Sequence, residues 1–192
     1  MRTLTVVPII HTQQELGRWE KKITSIRQHA YGICETKQFL ADIKSYWEKV
    51  DRYVTKAYFE KQDTLARLHI FIDSLPITNE TICETIIRKS CETKIPAFII
   101  AVALREKGAH IHETENAELL LEEYGYWKGC LERGEPENNE KERRMLQDRD
   151  AAIVKRINAI VPHEESALLF IGALHRVADA FRADPTWTII DP

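Results

Sequence analysis

Apolar residues in this chain follow two rhythms. Leu4–Ile10, Leu68–Ile72 and Ala167–Ile171 are short, unbroken runs rich in Val, Ile, Leu and Phe. That is the composition of strands buried on both faces. Ala109–His112 is a shorter run of the same kind. Between the runs, apolar residues recur at helical spacing. Trp19, Ile23 and Ile26 follow a Thr12…Glu15 capping-box spacing, on a helix running to about Ala30. Phe39, Leu40, Ile43, Tyr46, Trp47 and Val50 mark a helix over about 37–50, and the stretch 53–66 also reads as helical. Thr78 or Asn79 caps a helix carrying Ile82, Ile86 and Ile87. Pro96 opens another, which the basic turn and glycine of Lys107-Gly108 close. Thr114 precedes a helix with Leu119, Leu120, Leu121, Tyr124 and Trp127. A long helix ending near Ile160 carries Leu146, Ile153, Ile157 and Ile160 as a stripe, and a short one runs through Phe181.

Strands separated by helices imply crossover connections. The predicted fold is α/β: one domain over 1–192, with a helix-flanked, mainly parallel sheet of about four strands. The segments 4–10, 68–72 and 167–171 should lie parallel in that sheet. Pro8 cannot donate to a ladder, so it belongs at an edge or on the last rung of pairing. Residues 133–140, Arg-Gly-Glu-Pro-Glu-Asn-Asn-Glu, form an exposed loop. Trp187–Ile190 either adds a last strand or packs as an arm.

Composition narrows the partners. Of 192 residues, 27 are Lys or Arg and 30 are Asp or Glu, a net charge of -3. Such a chain lacks the concentrated positive field that nucleic acid requires. The longest apolar run, Ile95–Leu104, is about half a bilayer span, and no signal-peptide cleavage site follows Met1. The expectation is a cytoplasmic protein without a membrane partner. Its four cysteines, Cys34, Cys83, Cys91 and Cys130, show no CxxC pair or zinc-finger spacing, and read as reduced, buried thiols.

Ligands of open parallel sheets bind beyond the carboxyl ends of the strands. There the sequence places His11, then Asp73, then His112-Glu113 with Glu115 beyond, and finally Gly172-Ala173-Leu174-His175. Histidine and carboxylate are the ligand types of a divalent first-row metal and equally the groups of acid–base catalysis. Arg149 and Asp150 flank the apolar stripe of the long helix. Arg149 either grips a substrate carboxylate or phosphate or ties the helix to a strand-end carboxylate. His110 and His112 share one strand face, as a ligand pair or as solvent-facing residues; His29, His69 and His163 read as structural. No GxGxxG, Walker, HExxH or GxSxG motif is present.

The strand-ending Pro8-Ile9-Ile10-His11, and Arg149-Asp150 on a helix leading into Leu168–Ile171 and Gly172-Ala173-Leu174-His175, resemble the TraB/Tiki and ChaN/erythromycin-esterase-like superfamily. Those proteins carry GxxH after the first strand and again after a late strand, the second following a helix with an RN/RD motif. The second motif matches here, whereas Pro8 stands where the first has glycine. The middle, with Gly108-Ala109, Thr114-Glu115 and Leu119–Tyr124, resembles a prokaryotic group with an aspartate-bearing strand. The superfamily includes proteins resembling metal-dependent proteases, lactone-hydrolysing esterases and haem binders.

The leading expectation is a hydrolase acting on a small-molecule or peptide substrate. In it, His11, Asp73 and His175 bind a divalent metal, Glu113 or Glu115 takes a proton, and Arg149 holds or polarises the substrate. The alternatives are a non-catalytic protein holding a small ligand or haem through one histidine, and an interaction subunit. Homo-oligomerisation stays open.

Overall fold

The computed structural model describes residues 1–10, 12, 20–59, 62–133 and 138–192. Five strands form one sheet: β1 (Arg2–Ile9), β2 (Leu68–Ile72), β3 (His110–His112), β4 (Ser166–Gly172) and β5 (Trp187–Ile190). Their order is β3-β2-β4-β1-β5, and every neighbouring pair is parallel. The three long apolar runs are thus parallel, as their composition indicates. The Trp187–Ile190 tail is a strand rather than an arm, which makes five strands instead of about four.

The helices are α1 (Glu20–Tyr31), α2 (Ile33–Val54), α3 (Glu80–Glu92), α4 (Pro96–Arg105), α5 (Ala117–Lys128), α6 (Asn139–Ile160) and α7 (Val177–Arg182). The chain moves one way across the sheet from β1 through β2 to β3, then back through β4 to β5. Right-handed crossovers put the helices of the two directions on opposite faces, and the core divides that way. Val7, Ile9, Leu68, Ile70, Ile72, Leu168 and Phe170 pack against α2, α3 and α4 through Ile43, Trp47, Ile87, Phe98 and Leu104. The alternate positions Leu4, Val6, Phe71, Ala167, Leu169 and Ile171 pack against α6 and α7 through Ile153, Ile157 and Phe181. The loops after β2 and β4 therefore leave in opposite directions, opening a crevice at the carboxyl edge between them.

Pro8 fits by the same alternation. The Arg2 amide donates toward the β5 side, to Thr186, and the Thr3 amide toward the β4 side, to Glu165. Pro8 hence faces the β5 side, where pairing stops at Thr5 opposite Ile190, so its missing N–H costs no rung. The Pro8 carbonyl accepts from Tyr46 Oη (2.5 Å) and the Ile10 carbonyl from Trp47 Nε1 (3.0 Å), which fastens the end of β1 to α2.

Other boundaries differ from the sequence reading. The stretch 53–66 is not one helix: α2 runs on to Val54, a π turn spans Thr55–Phe59, and a 3-10 turn spans Gln62–Arg67. The helix that Thr114 precedes, α5, is capped by Asn116, which accepts from the amides of Glu118 and Leu119. Within 133–140, Arg133 ends a π turn and Asn138 caps α6; 134–137 lie outside the described residues, as does Glu15 of the expected capping box. Cys83 is buried, Cys91 and Cys130 half-buried and Cys34 exposed, and all four are free. Burial raises the Cys83 and Cys91 thiols, which opposes a nucleophilic role. Among the described residues, no helix is long and apolar enough to cross a membrane.

Candidate active site

The crevice is built by stitching strand-end loops together. The Asp73 amide continues the β2–β4 ladder by donating to the Phe170 carbonyl (2.8 Å). The Thr114 side chain, fully buried, accepts from the Ile72 amide (2.9 Å). The amides of Thr114 and Glu115 both donate to the Leu75 carbonyl, and the Ile77 amide to that of Glu115. The loop after β3 is thereby pinned beneath the loop after β2. This is why Glu115, a carboxylate with 0% exposure, sits behind Asp73.

Arg149 compensates that buried negative charge. It projects from α6 on the same face as Leu146 and Ile153, three and four residues away, and is 4% exposed. Its Nη2 donates to Asp73 Oδ1 (2.7 Å) and Glu115 Oε1 (2.5 Å), its Nε to Glu115 Oε2 (3.3 Å), and its Nη1 to Glu123 of α5. Burial alone would raise the Asp73 carboxyl; Arg149 and His175 outweigh it and hold Asp73 below the ordinary carboxylate value. At Glu115 burial wins over Arg149, and with Asp73 alongside its pKa is pushed up to about 7.

His175 completes the floor. The Gly172-Ala173-Leu174-His175 turn closes with the His175 amide donating to the Gly172 carbonyl (3.1 Å). Its imidazole Nδ1 lies 2.5 Å from Asp150 Oδ1, and Asp150 Oδ2 accepts from the Arg176 amide (2.8 Å). The carboxylate thus fixes the ring with Nδ1–H toward α6 and Nε2 toward the crevice. Nε2 stands 3.7 Å from Asp73 Oδ2, too far for a direct hydrogen bond. Burial would lower the His175 pKa; the hydrogen bond to Asp150 and the charge of Asp73 outweigh burial and raise it. Gly172 donates its amide to Asp73 Oδ2 (3.0 Å). A Cβ there would lie 3.0 Å from that oxygen and 3.3 Å from His175 Cδ2, so only glycine leaves both side chains undisturbed.

Asp73, Arg149, Gly172 and His175 line a cleft of about 460 Å³, with Ser74, Leu146, Trp127 and Leu174 on its walls. Oxygens of Asp73 and Glu115 and a ring nitrogen of His175 lie within 4.8 Å of one another, so this group could hold a metal ion. Arg149, however, already bridges the two carboxylates, so a metal would compete with a buried cation.

The sequence-derived site is thus partly assembled. Asp73, Glu115, Arg149 and His175 converge. His11 lies outside the described residues. Glu113, expected as a base, stands apart from the group: its carbonyl and carboxylate accept from Arg156 Nε (3.1 Å) and Nη2 (3.2 Å). Arg149 occupies the ion-pair alternative rather than an open fork. Asp150 and Glu123 were not assigned roles by sequence reasoning. The adjacency of Arg149 and Asp150, both bordering one stripe, was the signal for Asp150; Glu123 gave none. His69, read as structural, does have partners. Its Nδ1 lies 2.8 Å from His112 Nε2 and its Nε2 2.5 Å from Glu165, with the exposed His110 beside them. Burial, then the neighbouring His69, His110 and Arg156, push His112 down to about 4.

Comparison with protein-family models, curated proteins and solved structures finds no match.

Proposed function

We propose that this protein is a hydrolase whose general base is His175, oriented by Asp150, acting on a carbonyl substrate in the cleft between the β2 and β4 loops. The observation that carries the reading is the Asp150–His175 pair at 2.5 Å with Nε2 turned into that cleft. A carboxylate, an imidazole with a fixed tautomer and a place for water form the general-base half of a catalytic triad. A water that donates to both His175 Nε2 and Asp73 Oδ2 bridges their 3.7 Å separation. As its oxygen bonds to the carbonyl carbon, His175 Nε2 takes its proton. The carbon–leaving-group bond then breaks and the same proton passes to the departing oxygen or nitrogen. Asp150 accepts from Nδ1–H throughout and stabilises the imidazolium. Arg149 acts here as a positioning residue that keeps Asp73 ionised and in place. The reading agrees with the hydrolytic branches of the superfamily that the Gly172–His175 motif resembles, and the substrate class is a small molecule or peptide.

The alternative site chemistry, a divalent metal on Asp73, Glu115 and His175, is favoured by their mutual distances. Such an ion would lower the pKa of a bound water. The haem alternative is disfavoured by Asp73 standing opposite His175 Nε2. Hydrolysis of a panel of activated esters and fluorogenic peptides tests the reading. His175→Gln should lower the rate by about 10²–10⁴-fold with the circular dichroism spectrum unchanged. Activity that survives chelation assigns the base to the His–Asp pair; activity lost on chelation and restored by a divalent ion assigns it to the metal. A panel hydrolysed equally well by wild type and His175→Gln overturns both.

A further inference from the structure

We infer that the cleft selects uncharged substrates with an apolar arm and discriminates against anionic ones, an inference that rests on the hydrolase reading for the position of the reacting carbonyl. The charges decide the first half. Among the described residues lining the cleft, Arg149 is the one basic side chain besides His175. Its guanidinium is committed on Nε and on both Nη atoms to Glu115, Asp73 and Glu123. It is 4% exposed, so no fork remains to receive a substrate carboxylate or phosphate. Asp73 and Glu123 themselves line the cleft, with Asp150 directly behind His175. An anionic group would meet these carboxylates in a partly desolvated site, where like-charge repulsion is screened little.

The walls decide the second half. Above the polar floor the cleft is bounded by Ile10, Trp127, Leu146 and Leu174. Leu174 is 81% exposed on the turn that presents His175, directly beside the reacting groups. A large apolar side chain held in water next to a catalytic imidazole gains when an apolar group lies against it. At about 460 Å³, the cleft lies within the range of small-molecule sites and sets the scale of the substrate. The chemical class is a neutral ester or amide bearing a medium-length alkyl or aromatic arm, with Trp127 and Leu174 as the specificity-determining residues.

The test uses isothermal titration of the intact chain with octan-1-ol and with octanoate, which match in the arm and differ in charge. Octanol should bind, and octanoate about tenfold or more weakly. Leu174→Ser and Trp127→Ala should each weaken octanol binding about tenfold, the effect of one apolar wall lost to the ligand. Octanoate binding as tightly as octanol, octanol failing to bind, or octanol affinity indifferent to both wall variants overturns the inference. A hydrolase reading that fails by itself looks different: octanol discrimination persists while His175→Gln hydrolyses as fast as wild type.

Discussion

Arg149→Met replaces a buried cation with an apolar side chain of comparable length, leaving Asp73 (7% exposed) and Glu115 (0% exposed) facing each other without their shared counter-ion. Removing one partner of a buried ion pair costs about 3–5 kcal/mol, chiefly because the other charge stays desolvated. For a chain of this size each 1 kcal/mol lowers Tm by about 2–4 °C, so Tm should fall by about 6–20 °C. Thermal and urea unfolding followed by circular dichroism measure this directly. Arg149→Met/Glu115→Gln removes one of the stranded carboxylates and should recover about 1–3 kcal/mol. If the single variant loses less than about 1 kcal/mol, or the double variant is no more stable than the single, Arg149 is not the electrostatic keystone of the crevice. Its apolar packing alone would then account for its place on α6.

Three further outcomes follow from the same geometry. Glu115 has a folded pKa of about 7 against an ordinary 4.5, so the native state binds its proton more tightly than the unfolded chain. Its contribution to stability is full below about pH 4.5 and is lost as pH rises to about 7, and Glu115→Gln should flatten that part of the urea-midpoint profile. His175 must be neutral to act as base and its pKa is raised, so kcat/KM should rise with pH through a midpoint above 6.5; Asp150→Asn should lower both the rate and that midpoint. Gly172→Ala inserts a methyl 3.0 Å from Asp73 Oδ2 and should cost about 1–3 kcal/mol in denaturant titration. In the same variant, ester hydrolysis should drop more than the stability loss explains.

The sheet was legible because its strands are buried on both faces, and continuous apolar runs such as Leu168–Ile171 have few other uses in an α/β chain. Asp73 and His175 were legible for the same reason, since a strand's end fixes where the next polar residues must lie. Glu113 and Glu115 could not be separated by sequence. Both follow β3, and it is the Thr114 hydroxyl on the Ile72 amide that turns Glu115 inward while Glu113 meets Arg156. The role of Arg149 was undecidable for a similar reason. Whether a guanidinium is open or saturated depends on Glu123, which comes from α5, a helix with no fully buried residue to mark its inner face. The stretch 53–66 has helical composition, but a π turn and a 3-10 turn deliver the chain to β2, with Tyr58 Oη donating to Thr5 Oγ1 (2.7 Å) across the core.

The strand order also has a consequence in time. β1 finds its partners only in β4 and β5, so that Thr3 lies opposite Ser166 and Leu4 opposite Ile189. On a ribosome, Leu4, Val6, Val7 and Ile9 emerge long before β4 and β5, and must wait for those strands before a neighbour exists. The β2–β3 unit with α3 and α4 is local and can collapse early; the central strand, β4, and the edge strand, β5, can join only later. Ladders of such long sequence separation form slowly, because the closure entropy of the intervening chain is spent before any rung rewards it. Until then the nascent chain carries an unpaired apolar segment, the kind of surface that holdase chaperones shield and that seeds aggregation when synthesis outpaces folding.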